Sequence, residues 1–113
     1  MTMEAHQPLF APIDPASCQQ IQVEIAGPEL QRTLALEVVL MNTEVQGFLG
    51  SESLGRRFVG SAASKDQRDT LVFLFPAAPR LKQFNDVKLV FWQPGPLYRS
   101  VKAEIRRITI VPR

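Results

Sequence analysis

Short apolar runs in this chain alternate with a period of two and stop at glycine or proline, a pattern that favours strands joined by turns. Ile21, Val23 and Ile25 alternate with Gln22 and Glu24, and Gly27-Pro28 ends the run. Successive side chains of a strand point to opposite faces, so this spacing predicts a strand with one face buried. Between Thr33 and Met41, one face carries Leu34, Leu36, Val38 and Leu40, and the other carries Ala35, Glu37, Val39 and Met41. Both faces are largely apolar, so this strand is expected to be central in its sheet or covered on both sides. Thr70 to Phe75 is a continuous apolar run stopped by Pro76 and reads as a fully buried strand. From Asp86 to Trp92, Val87, Leu89 and Phe91 lie on one side, and Lys88, Val90 and Trp92 on the other. Gln93-Pro94-Gly95-Pro96 then reads as a turn region.

The last run extends from Val101 to Val111. Val101, Ala103 and Ile105 share one face, whereas Ile108 and Ile110 fall on the opposite parity. A shift of one residue at Arg106-Arg107 predicts a β-bulge or a strand that changes its buried face. Gln46 to Gly55 reads as a loop, with a short strand around Arg57-Phe58-Val59, and Ser61 to Asp69 reads as a polar surface loop. Residues 1–18 are rich in Pro, Gln and Ala and read as an extended lead-in or linker, leaving residues 19–113 as the domain. Leu9, Phe10, Ala11 and Ile13 are broken up by Pro8, Pro12 and Asp14, so a secretory leader is not expected there. The resulting expectation is an all-β fold, an antiparallel β-sandwich of jelly-roll-like form.

The segment DVKLVFW (86–92) followed by VKAEIRRITIVPR (101–113) resembles the closing strands of galactose-binding-like jelly-roll domains. The resemblance covers the last third of the chain. It implies a non-catalytic module for carbohydrate or protein binding, or an accessory domain of a larger enzyme.

Composition narrows the chemistry. With 113 residues, 45% hydrophobic and 21% charged, the chain is one globular domain in size, and no stretch approaches the ~20 apolar residues of a membrane-spanning helix. Cys18 is the only cysteine, which excludes an internal disulfide but not an extracytoplasmic location. His6 is the only histidine, which removes most zinc sites. With Ser17 and Cys18 it lies in or beside the expected lead-in, a poor place for the fixed geometry of nucleophilic catalysis, so no enzyme activity and no cofactor are expected. Net charge is +2, unevenly spread. Residues 80–113 hold eight Lys/Arg and two acids, and residues 1–79 hold five Lys/Arg and nine acids.

If successive strands run antiparallel, loops 27–33, 61–69 and 93–100 share one end of the sandwich, and loops 43–54 and 76–85 share the other. The first end would gather Arg32, Asp66, Asp69, Tyr98 and Arg99, with Trp92 at its edge. Trp92 and Tyr98 offer flat faces for sugar C–H groups, and Arg99, Arg32, Asp66 and Asp69 offer hydrogen bonds to hydroxyls. These six residues are the candidate ligand site. Asp66 and Asp69 could also bind a structural Ca2+, although their spacing is not that of an EF-hand. Two other partners fit the residues. A single-stranded nucleic acid would use Arg99, Lys102, Arg106, Arg107 and Lys88 beside Trp92, Tyr98 and Phe91. A protein partner would use an unpaired sheet edge.

Overall fold

The computed structural model describes residues 2–26, 35–58, 68–92 and 104–113. Seven strands occupy most of them: β1 (Thr2–Ile13), β2 (Cys18–Ala26), β3 (Ala35–Met41), β4 (Ser51–Phe58), β5 (Arg68–Leu74), β6 (Phe84–Trp92) and β7 (Glu104–Pro112). They form two antiparallel sheets. Sheet A has the order β1-β6-β3-β4 and sheet B the order β5-β2-β7. The fold is therefore an all-β sandwich. Five of the six connections join strands in different sheets, the winding of a jelly roll, and β3–β4 alone stays within one sheet.

The core follows from the period of two. Ile21, Val23 and Ile25 of β2 and Leu71 and Phe73 of β5 face Leu36, Val38 and Leu40 of β3 and Val87, Leu89 and Phe91 of β6. The expected central strand is β3, between β6 and β4, with five buried residues. The expected bulge is also present. Glu24 of β2 pairs with Arg107, while the next residue, Ile25, pairs with Ile105, so Arg106 is the extra residue. It lets Ile105, Ile108 and Ile110 all pack against the core despite their mismatched parity.

Several expectations need correction. Residues 1–18 are not a free lead-in. Thr2–Ile13 is extended, but as β1, paired with β6 from Thr2 opposite Trp92 to Pro8 opposite Asp86. A 3-10 turn at Pro15–Ser17, capped by the Asp14 side chain on Ala16 N, leads into β2, and Cys18 is buried. The signal was weak because, of the row Met3, Ala5, Gln7 and Leu9, only Ala5 and Leu9 pack against the core, and Pro8 and Pro12 interrupt the pattern. The run Thr70–Phe75 is not fully buried. It lies in and just after β5, an edge strand, where Leu71 and Phe73 face the core and Leu74 is 59% exposed. Much of the segment read as the Gln46–Gly55 loop belongs to β4, which begins at Ser51 after a 3-10 turn at Gly47–Gly50.

Loops 43–54 and 76–85 do meet. The Asn85 side chain donates to Thr43 Oγ1 at 2.8 Å and accepts from Thr43 N at 3.0 Å. Arg80 donates to the carbonyls of Leu49 and Ser51, and Glu52 Oε1 accepts from the backbone N–H groups of Arg80 and Leu81. This scaffold holds Phe48 out in solvent, 80% exposed.

Candidate functional site on the outer face of sheet A

The even-numbered residues of β6 that leave the core, Asp86, Lys88, Val90 and Trp92, lie on the outer face of sheet A. Register places Glu37 of β3 opposite Val90 and Arg56 of β4 opposite Glu37. Three strands thus bring four side chains together. Trp92 Nε1 donates to Glu37 Oε1 at 3.0 Å, and Ser53 Oγ donates to Glu37 Oε2 at 2.6 Å. The Arg56 guanidinium carbon lies 3.8 Å from the centroid of the Trp92 ring, and Arg56 Nε is 3.7 Å from Glu37 Oε1.

A local distortion of β4 aims these groups. Val39 pairs with Ser53, but Glu37, two residues earlier, pairs with Arg56, so β4 spends one residue more than β3 between them. Gly55 sits in this bulge with φ +96°, a left-handed conformation that favours glycine, and its N–H donates to Ser53 Oγ at 3.0 Å. The bulge brings Ser53 and Arg56 to the same side of the sheet, on either flank of Glu37. Both Glu37 oxygens are thereby engaged. The cluster combines an aromatic face, a carboxylate, a guanidinium and a hydroxyl, a set able to hold a polar ligand that also presents an apolar surface.

A second polar pair lies on the same face. His6 Nδ1 is 2.6 Å from Asp86 Oδ2, and His6 Nε2 is 4.0 Å from Glu4 Oε2. Asp86 is buried, and its Oδ1 has no partner among the described residues. Val39 and Val90, both buried, separate this pair from the Trp92 cluster. Among the described residues no group of three or more His, Cys, Asp or Glu is arranged to hold a metal ion.

Of the six candidate ligand residues, Trp92 is placed on this face. Asp69 belongs to β5, opposite Ile25, and not to a loop as expected. Arg32, Asp66, Tyr98 and Arg99 lie outside the described residues. The basic and aromatic set considered for nucleic acid divides. Lys88 and Trp92 are on sheet A's outer face, Phe91 is buried in the core, and Arg106 and Arg107 are on β7 in the other sheet. Glu37, Arg56 and Ser53 escaped the sequence reading. A glycine followed by Arg56-Arg57 inside a strand-like stretch was the available sign of a bulge.

On the other side of the molecule, β1 and β7 flank a groove of about 320 Å³ lined by Gln7, Leu9, Val87, Ile105, Ile108, Ile110 and the two bulge arginines. No family model matches the chain, and no curated protein or solved structure matches it.

Proposed function

We propose that this chain is a non-catalytic binding module that takes a polar ligand such as a glycan on the outer face of sheet A, at Trp92. The observation that carries the reading is the hydrogen-bonded cluster of Trp92, Glu37, Ser53 and Arg56. A sugar ring would lay its C–H face on the indole, direct hydroxyls to Glu37 and receive hydrogen bonds from Arg56. Arg56 now occupies the indole face. Its side chain is 54% exposed and its ion pair with Glu37 is long, so moving it aside costs little. The resemblance of the closing strands to galactose-binding-like domains supports the same reading.

The test is a fluorescence titration of Trp92, the chain's single tryptophan, with a panel of oligosaccharides at low and high salt. A saturable, salt-insensitive change is expected with at least one of them. Glu37→Gln is expected to weaken it about tenfold, the cost of replacing a hydrogen bond to a charged group by a neutral one. If neither fluorescence nor calorimetry detects any oligosaccharide, the proposal fails. A response to single-stranded DNA that fades with salt would replace it with the nucleic-acid reading.

A further inference from the structure

Among the described residues, sheet A has four strands and sheet B three. β4 and β5 approach each other and close one side of the sandwich, whereas β1 and β7 make no comparable approach. The shortfall therefore falls beside β7, and the groove between β1 and β7 marks it. Its walls are the inward row of β1, Gln7 and Leu9, and the inward row of β7, Ile105, Ile108 and Ile110, with Val87 at the floor.

The two flanking edges are not equivalent. β1 carries Pro8 and Pro12, which have no N–H to offer, and its register is broken between Pro8 and Ile13. β7 carries proline only at its last position and pairs with β2 alone among the described strands, so its other edge is unpaired there. Arg106 and Arg107 stand beside the groove, both exposed. Arg106 is 3.5 Å from Glu104, and among the described residues no carboxylate lies within ion-pair distance of Arg107.

We propose that the groove is a docking site for an extended, acidic segment of a partner protein, which adds as a further strand of sheet B to the edge of β7 that no described strand pairs. Strand addition supplies main-chain hydrogen bonds, and alternate side chains of the added strand enter the groove. Aliphatic residues at those positions meet Leu9, Ile108 and Ile110, while carboxylates at the intervening positions meet Arg106 and Arg107. The bulge and its arginines blunt the edge against indiscriminate pairing, so a segment must bring negative charge to be accepted. This site is independent of Trp92 and stands or falls separately from the ligand reading above.

The probe is a fluorescein-labelled peptide of alternating aspartate and valine, followed by anisotropy. Two controls are a peptide of the same composition with its valines consecutive, and one with proline at the central valine. The alternating peptide is expected to bind about tenfold more tightly than either control. Arg106→Gln with Arg107→Gln is expected to weaken it about tenfold, with cooperative urea unfolding retained, while Arg57→Gln on β4 and Trp92→Phe leave it intact. Equal binding of the three peptides, no binding of any, or binding untouched by the loss of charge overturns the proposal. So does sedimentation showing that the free protein already pairs with itself through β7.

Discussion

Arg56 reaches Trp92 across an intervening strand, its guanidinium 3.8 Å from the ring centroid, because the bulge at Gly55 turns it toward the outer face of sheet A. A double-mutant cycle with Arg56→Ala and Trp92→Leu, read by urea unfolding, is expected to give a coupling of about 0.5–1 kcal/mol, the usual worth of a partly exposed cation–π contact. A coupling indistinguishable from zero would make the contact incidental.

His6→Ala strands a buried carboxylate. Asp86 Oδ2 loses its partner, and Oδ1 has none among the described residues. The expected cost is about 1–2 kcal/mol at neutral pH, held below that of a fully buried pair because His6 itself is half exposed. Adding Asp86→Ala to His6→Ala should cost less than the two single changes together, and denaturant midpoints will show whether it does.

Gly50 is closely enclosed by backbone. A Cβ there would stand 2.3 Å from the Val45 carbonyl oxygen and 2.7 Å from that of Asn42. Asn42 N also donates to Gly50 O at 2.7 Å, so the turn cannot relax without losing its own hydrogen bond. Gly50→Ala is expected to destabilise the protein by about 2–3 kcal/mol, with faster hydrogen exchange at Asn42 and Val45.

Burial pushes the Cys18 thiol above its ordinary range, and the nearby negative charge of Asp14 adds to this, against opposing effects of the Ser17 hydrogen bond and Arg113. A raised folded-state value means that the native state keeps its proton where the unfolded chain loses it. The contribution to stability is complete below the unfolded thiol range and is lost as pH rises through the folded value. Stability should therefore fall in alkali less steeply for Cys18→Ala than for the parent chain. Iodoacetamide should label Cys18 slowly at pH 8 until the protein is unfolded.

The sequence disclosed what depends on local alternation. Leu36, Val38 and Leu40 point inward together because their spacing is two, and the parity slip at Arg106 became a bulge for the same reason. Trp92 shares its parity with Val90, so its departure from the Val87–Leu89–Phe91 core row was legible too. That Glu37 accepts from Trp92 and Ser53 was not, since it depends on which strands become neighbours and on their register. β1 was missed because its inward row includes Gln7 and its edge position tolerates Pro8 and Pro12. Leu74 misled because an apolar run reads the same whether or not the second face is covered.

The bulge on β7 also bears on how copies of this protein tolerate one another at high concentration. If two molecules met edge to edge through β7, the consecutive arginines of each would be drawn into one short contact, four positive charges whose nearest described carboxylates are Glu104 on the same strand and Glu24 on the far side of it, on β2. The edge of β7 that no described strand covers thus carries like charge toward its twin, which disfavours filaments built through it.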